Sequence, residues 1–179
     1  TDDAGSDVQL VAGGASVGDI DDLTDALVEN NSIWLGNDPS STTDTAEYNI
    51  GLGTTALDAI TTGDKNVAIG YDAGTALTTS IKNTLVGYMA GAAITTGTGE
   101  NVLVGHRAGI AITTGSSNIA IGDNSLATQT TANGNVAVGD NAMYANTSGT
   151  SNTGVGQTAL TANTSGGANT GIGANALDA

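Results

Sequence analysis

A period of 17 residues constrains the fold of this chain more than any other feature. The motif Asn-x-x-aliphatic-Gly recurs with its last glycine in steps of 17 residues, except for one step of 18 between Gly87 and Gly105. These anchor glycines are Gly36, Gly53, Gly70, Gly87, Gly105, Gly122, Gly139, Gly156 and Gly173. A strict period of this length is the signature of a repeat architecture, in which each unit stacks on its neighbours.

Each motif has the alternating pattern of a short strand. The residue before the anchor glycine is always aliphatic, as in Ile69, Val86, Val104, Ile121 and Val138, and the residue two positions earlier is always β-branched. Alternation places both on one face of the strand and the residue between them on the other. We predict that the uniformly bulky face fills the coil interior. The intervening position varies from Gly51 to Trp34, and we expect it to contact another chain.

The rest of each coil is expected to hold a glycine turn, a small-residue segment, a second short strand and a Thr-rich turn. Three positions after the anchor stands a small residue, such as Ala73 or Ser125, which indicates tight packing inside the bend. The extra residue of the 18-residue step is placed near Gly97–Glu100, because insertion in a turn leaves strand register intact.

Asparagine begins eight of the nine motifs, and Ser32 takes its place in the first. In stacked coils these residues form a ladder, because each amide can bond to its equivalents above and below. We interpret this column as structural. The ladder residues of the central coils are Asn66, Asn83, Asn101, Asn118, Asn135 and Asn152, followed in each coil by anchors such as Gly70, Gly87, Gly105, Gly122 and Gly139.

Composition favours stacked coils over a globule. Only five of the 179 residues are aromatic and none is Phe, whereas a narrow stacked interior can be filled by Val, Ile, Leu and Ala. A formal charge of −15 makes nucleic acid and anionic membranes poor partners. No apolar run is long enough for membrane insertion, and without cysteine there are no disulfides or thiolate sites.

The N-terminal part differs from the repeats. Residues 1–18 are expected to be an extended lead-in, residues 19–31 a short helix capped by Asp19, and residues 32–179 an array of nine coils including degenerate or incomplete terminal ones. The helix is interpreted either as a cap or as the end of a trimeric coiled-coil stalk. Because the chain starts at Thr1 and stops within a motif, we expect a processed or excised piece that continues beyond Ala179.

The sequence gives little support for catalysis. His106 is the only histidine, and the equivalent positions hold Tyr, Asp or Gln, so it is interpreted as an exposed, variable site. The glycines of the repeat lack the Gly-Lys-Ser/Thr ending of a phosphate loop, and the aspartates lack calcium-repeat spacing. We therefore predict no enzyme activity, no cofactor and no metal.

Pairs of adjacent threonines are the main sequence feature that favours a different function. Stacked coils would place the second threonine of each pair in a surface ladder: Thr62, Thr79, Thr96, Thr114 and Thr131. Such a ladder suggests a single-chain ice-binding solenoid. Adjacent strand residues point to opposite faces, however, so a flat two-column array would require Thr-x-Thr, which is missing at this site.

The motifs NVAIGYDAG, NVLVGHRAG, NIAIGDNSL and NVAVGDNAM resemble the head repeats of trimeric autotransporter adhesins and similar repeats in bacteriophage tail fibres. The resemblance covers roughly residues 32–179. It implies a left-handed parallel β-roll, and side-by-side association of three chains into a fibre that contacts host surfaces. Adhesin heads commonly use repeats near 14 residues and are followed by a basic neck motif, and both features differ here.

The expected function is therefore a structural segment of a trimeric extracellular fibre of the phage tail type, presenting a surface for a host glycan or protein. A bacterial surface adhesin head is the first alternative, and the ice-binding solenoid is the second. The corresponding locations are the virion or the bacterial cell surface. The trimer is implied by the resemblance, whereas the periodicity alone implies only stacked coils.

Overall fold

A computed structural model describes residues 26–36, 43 and 45–178, which form ten short strands and, within those ranges, no helix. The strands are β1 (Ala26–Glu29), β2 (Ser32–Leu35), β3 (Ile50–Leu52), β4 (Val67–Ile69), β5 (Thr84–Val86), β6 (Val102–Val104), β7 (Ile119–Ile121), β8 (Val136–Val138), β9 (Thr153–Val155) and β10 (Thr170–Ile172).

All ten strands belong to one sheet whose spatial order follows the chain order. From β2 to β10 each strand runs parallel to the next, and partners are equivalent residues of successive repeats, as Val67 pairs with Thr84. The chain therefore completes one circuit per strand and forms about eight stacked coils. This confirms the predicted all-β parallel solenoid with 17-residue coils.

The 18-residue step leaves the sheet undisturbed. Thr84 pairs with Val102 and Val86 with Val104, in the same three-residue register as every other pair of coils. The extra residue lies in the turn before β6, where Gly97 and Gly99 have φ values of 107° and 69°. The turn absorbs the insertion because glycine adopts such angles without a steric penalty.

The end of the sheet differs from the expected helix. Residues 19–25 of that helix lie outside the described residues, but Ala26–Glu29 forms β1 and pairs antiparallel with β2. The two strands are joined by Asn30 and Asn31, both with positive φ, as a type I′ hairpin turn requires. The helical prediction is wrong for Ala26–Glu29, because pairing with an otherwise open sheet edge outweighs a narrow apolar seam.

The predicted assignment of the strand faces is also wrong. The intervening residues, such as Ala68, Leu85 and Ala120, are completely buried, whereas Ile69 and Ile121 on the Val/Ile face are 36% and 39% exposed. The motif asparagine explains the reversal. It is buried and lies two positions before the intervening residue, so alternation turns both inward and leaves the β-branched residues outside.

The interior is filled by two positions of each coil, and one is large and the other small in every coil where both are described except that of β4, which has Ala68 and Gly74. One is the middle of the strand, and the other lies four residues after the anchor glycine. In the coil of β6 the pair is Leu103 and Gly109, and in the coil of β7 it is Ala120 and Leu126. A Cβ added to Gly109 would lie 2.8 Å from the Leu103 side chain. The narrow core therefore has room for one large side chain per pair in these coils.

At the first coil the large side chain is Trp34. It is completely buried, and a Cβ on Gly51 of the next coil would lie 2.8 Å from its ring. Trp34 also differs from the smaller residues at this position in the later coils, as a terminal coil of a stack is expected to differ. Its position in β2, between β1 and β3, puts it in the first coil of the stack.

From the coil of β3 onward, the described residues do not form the predicted second strand. The segment after the anchor glycine consists of turns, in which the residues two and four positions after the anchor are left-handed, such as Asp72 and Leu57 with φ of 54°. Backbone bonds still join successive coils there, as Leu57 N donates to Ala73 O at 3.1 Å. These left-handed residues come before the position of the predicted second strand, around Ile60, and the bend at Thr61 and Thr62 follows it directly, so no extended run remains between them.

The interior changes character in the later coils. Ile60, Leu77, Ile94 and Ile112 form a buried apolar column, and Gln129 and Asn146 continue it while remaining completely buried. Asn146 Nδ2 donates to Gln129 Oε1 at 3.3 Å and to Gly149 O at 3.0 Å. The amides are tolerated because their donors find acceptors.

Candidate interaction surface

The outward residues of the strands form a continuous apolar surface, which we call the sheet face. It consists of two columns of nine residues. The first is Ile33, Ile50, Val67, Thr84, Val102, Ile119, Val136, Thr153 and Thr170, and the second is Leu35, Leu52, Ile69, Val86, Val104, Ile121, Val138, Val155 and Ile172. Fifteen of these residues are aliphatic, three are threonine and none is charged.

The sheet face is exposed along its whole length. Its residues are half-buried or exposed, because each is flanked by its equivalents in the coils above and below. Ile50 is 42% exposed within the stack, and Ile172, which has no described coil beyond it, is 71% exposed. With eight steps of about 4.8 Å, the face is roughly 40 Å long and covers on the order of 500 Å². An apolar patch of this size is at the upper end of what single proteins expose, and such patches often have a function.

One side of the sheet face is bordered by the trailing column, the residues that follow the anchor glycines: Thr54, Tyr71, Tyr88, His106, Asp123, Asp140, Gln157 and Ala174. Tyr71 stacks on Tyr88 with ring centroids 5.5 Å apart, and Tyr88 stacks on His106 at 5.2 Å. His106 Nδ1 lies 2.6 Å from Asp123 Oδ1. The repeat thus builds an ordered stack of four side chains at the surface.

His106, which the sequence indicated as an exposed and variable position, has defined neighbours in this stack. The His106 and Asp123 side chains are 53% and 50% exposed. Both faces of the Tyr88 ring are covered by the neighbouring rings, so its hydroxyl and ring edge remain for other contacts. Sequence reasoning did not find the stack, although aromatic residues at equivalent positions of successive coils were a sufficient signal.

The other side of the sheet face is bordered by the leading column, the residues that precede the motif asparagines: Tyr48, Lys65, Lys82, Glu100, Ser117, Gly134, Ser151 and Ala168. Lys65 Nζ lies 5.8 Å from the centroid of the Tyr48 ring. Lys82 Nζ forms an ion pair with Glu100 Oε1 at 3.0 Å. The leading column therefore carries two of the three basic residues of the chain.

The threonine pairs divide into two roles. The first threonine of most pairs is half-buried, and its hydroxyl donates to a carbonyl of the next coil, as Thr78 Oγ1 does to Thr95 O at 2.9 Å. The second threonines, Thr62, Thr79, Thr96, Thr114 and Thr131, are exposed in one column. This column lacks a parallel hydroxyl column beside it, because the first hydroxyls are bonded between coils.

The motif asparagines lie inside the stack as a continuous ladder. Asn83 N and Asn83 Nδ2 both donate to Asn66 Oδ1 at 2.9 Å, and Asn66 bonds to Asn49 in the same way. The spare amide proton bonds to a carbonyl of the Thr-rich turn, as Asn118 Nδ2 donates to Ala132 O at 3.0 Å. Asn49 N donates to Ser32 Oγ at 2.9 Å, so the serine begins the ladder.

The anchor glycines form a column in which successive backbones come close together. At Gly70 φ is +133°, and an added Cβ would lie 2.5 Å from Gly87 O. Both the conformation and the contact exclude a side chain. The predicted glycines are therefore fixed by backbone packing.

The described residues contain no group of three or more His, Asp or Glu side chains that could hold a metal ion. Within the same ranges, no helix is long and apolar enough to cross a membrane. The arrangement offers an apolar sheet face with polar borders, which is suited to binding another flat apolar surface.

Comparison with protein-family models, with curated proteins and with solved structures finds no match to this chain.

Proposed function

We propose that this chain is a structural segment of a trimeric extracellular fibre, in which three rods pack side by side through their sheet faces. The observation that supports this proposal is the uncharged aliphatic sheet face, which extends over all nine parallel strands. Covering it would remove several hundred Å² of apolar surface per chain from water, at about 25 cal/mol per Å². A second and third copy supply matching surfaces of equal length.

The distribution of charge is compatible with this assembly. Eleven of the 18 acidic residues precede Tyr48, so residues 48–179 contain seven acids and three bases, a formal charge of −4. Repulsion between rods is therefore smaller than the −15 of the whole chain suggests. The apolar face itself adds no charge.

In this proposal the rod extends and spaces the fibre, and the surfaces away from the sheet face are free to contact a host glycan or protein. The resemblance to phage fibre repeats favours the virion as its location, and a bacterial surface adhesin is the alternative. The ice-binding function receives less support, since the exposed threonines form one column.

A charge placed on the sheet face tests the proposal. Ile121 is partly exposed in the single rod, so Ile121→Lys should leave the fold intact and yet place a charge in the interface between rods. We expect the assembly to dissociate to monomers in analytical ultracentrifugation, while the circular dichroism spectrum stays unchanged.

Thr114→Lys is the matched control, because it adds the same charge on the exposed threonine column. This variant should sediment as an assembly with the same number of chains as the parent protein. Equal masses for the two variants, with both folded, would contradict association through the sheet face.

A further inference from the structure

We propose that Asn133 and Gly134 form a self-modification site, at which the asparagine converts to aspartate or isoaspartate only when neighbouring coils separate locally. They are the single Asn-Gly pair in the 179-residue sequence. The pair lies in the Thr-rich turn before β8, and both residues are exposed. The inference concerns chemistry within one rod, so it does not depend on the proposed association between rods.

The reaction needs the chain and one water molecule, with no cofactor or oxidant. The backbone nitrogen of Gly134 attacks the side-chain carbon Cγ of Asn133 and forms a new C–N bond. The bond between Cγ and the side-chain nitrogen breaks, and ammonia leaves with the proton that Gly134 N has lost. Water then opens the resulting succinimide ring at either carbonyl carbon, which leaves aspartate or isoaspartate at position 133 and returns a proton to Gly134 N. Glycine favours ring closure because no side chain obstructs the attacking nitrogen.

In the folded rod both reacting groups are bonded to the preceding coil. Gly134 N donates to Ser116 O at 3.1 Å, and Ser116 N donates to Asn133 Oδ1 at 2.7 Å. The peptide group between the two residues is also bonded to the following coil, since Ser151 N donates to Asn133 O at 3.1 Å. We call these three hydrogen bonds the clamp. Together they hold the peptide group from both sides and the side chain from one.

The clamp must open before the ring can close. In the succinimide Gly134 N carries no proton, so its hydrogen bond to Ser116 O cannot exist once the new bond has formed. Turns at the surface open locally more often than the whole fold unfolds. The conversion rate in the folded rod should therefore equal the rate of an unrestrained Asn-Gly pair multiplied by the fraction of rods whose clamp is open.

The aspartate product fits the clamp, as an equivalent position of the rod shows. Asp64 occupies the place of Asn133 in an earlier coil, and Glu47 N donates to Asp64 Oδ1 at 2.9 Å. Lys65 N donates to Glu47 O at 3.0 Å. These two bonds match those that the Asn-Gly pair forms to its preceding coil. A carboxylate oxygen accepts a backbone N–H at least as well as an amide oxygen does, so the aspartate product can re-form the clamp.

The isoaspartate product does not fit. In isoaspartate the main chain runs through the former side-chain methylene, so the backbone before Gly134 is longer by one atom. The free carboxylate is attached directly to Cα and is shorter by one methylene. The two groups then no longer match the spacing of Ser116 N and O, which the preceding coil fixes. In the chains that form isoaspartate, a transient separation of the coils therefore becomes permanent.

The conversion rate in the folded protein tests the role of the clamp. The intact protein is incubated at neutral pH, and aspartate and isoaspartate at position 133 are measured over time by peptide mapping and mass spectrometry. The reference is the same chain unfolded in guanidinium chloride, in which the clamp is absent. We expect conversion to be at least about tenfold slower in the folded rod. Equal rates in the two states would overturn the proposal.

Thr98→Asn supplies a matched pair without the clamp in the same chain. It creates a second Asn-Gly pair before Gly99, in the expanded turn before β6. Gly99 has the same φ of 69° as Gly134. Among the described residues, however, Gly99 N donates to no backbone carbonyl, and it is Glu100 N that donates to Ile81 O.

The new pair should convert at least about tenfold faster than Asn133 in the folded variant, and at a similar rate after unfolding. A folded variant in which both pairs react at the same slow rate would show that the clamp does not control the reaction.

The two products are compared by hydrogen exchange at the Gly134 amide, measured by NMR. Asn133→Asp should keep the protection of the parent protein, because Asp64 already shows a carboxylate in this arrangement. Aged chains enriched in isoaspartate should lose protection by at least about tenfold. Full protection in the isoaspartate chains would overturn the permanent separation, and lost protection in Asn133→Asp would overturn the assignment of the aspartate product.

Discussion

At the scale of the residue, most coils hold several residues in left-handed conformations. They are the anchor glycine, the residues two and four positions after it, and the residue before the motif asparagine. Glycine occupies only some of these positions, and Met89 and Arg107 have φ of 55° and 58°. Such conformations cost a side chain roughly 1–2 kcal/mol, which the stacking of the coils must offset.

Gly70→Ala should destabilise the rod by about 2–4 kcal/mol, because φ is strained and the new Cβ meets the backbone of the next coil. Urea unfolding followed by circular dichroism measures the change. Gly134→Asn is the control, since Gly134 is also left-handed but its nearest neighbour would lie 3.7 Å from an added Cβ. It should change stability by less than about 1 kcal/mol. Equal losses would refute the packing argument.

Met89→Asn should stabilise the rod by about 0.5–1 kcal/mol, because asparagine tolerates left-handed angles better than methionine does. Asparagine already occupies the equivalent positions Asn124, Asn141 and Asn175. Thermal unfolding provides the comparison, with Met89→Leu as the control that retains the strain. A gain for leucine equal to that for asparagine would show that backbone strain is not the cause.

At the scale of the element, most coils combine one large and one small residue at their two interior positions. In the coil of β7 the pair is Ala120 and Leu126, and in the preceding coil the large and small residues are exchanged. The interior of a coil should therefore tolerate an exchange of the large and small residues between its two positions more readily than a change in their total volume.

Ala120→Leu alone should destabilise by about 1–3 kcal/mol through overpacking, and Leu126→Gly alone by about 3–5 kcal/mol through a cavity. The double variant reproduces the pattern of the coil before it. It should therefore lose at least about 2 kcal/mol less than the two single losses combined. Ala120→Leu with Leu160→Gly, two coils apart, is the additive control. Additivity in both double variants would contradict the compensation.

The sequence predicted the elements that depend on periodicity. The anchor column, exemplified by Gly70, follows directly from a 17-residue period, and so does the parallel sheet. The period alone did not determine which strand face lies inside. The inward face is set by the buried asparagine, such as Asn118, and by the compensating pair Ala120 and Leu126. Neither can be recognised from the side-chain sizes at one position of the repeat alone.

The sheet edge could not be derived from the repeat pattern, and the surface stack becomes apparent only when the motifs are aligned with one another. β1 forms because β2 offers an open edge, which is a tertiary effect that local propensity at Leu27 does not contain. The stack of Tyr71, Tyr88 and His106 depends on side chains meeting across coils. The individual motifs do not show this contact, although their alignment does.

At the scale of the whole molecule, the rod has a covered interior and one uncovered apolar side. The coils bury the Asn ladder and the apolar column, while the sheet face leaves fifteen aliphatic residues at the surface. An apolar surface of this extent favours the proposed association between rods. Eleven of the 18 acidic residues precede Tyr48 in the sequence, so residues 48–179 carry a formal charge of only −4.

The most direct test of this account is the solution mass of the unmodified protein, measured by light scattering at low micromolar concentration. Association of three rods through their sheet faces predicts three times the chain mass of 17.3 kDa. A folded protein that remains monomeric across this concentration range would contradict association through the sheet face.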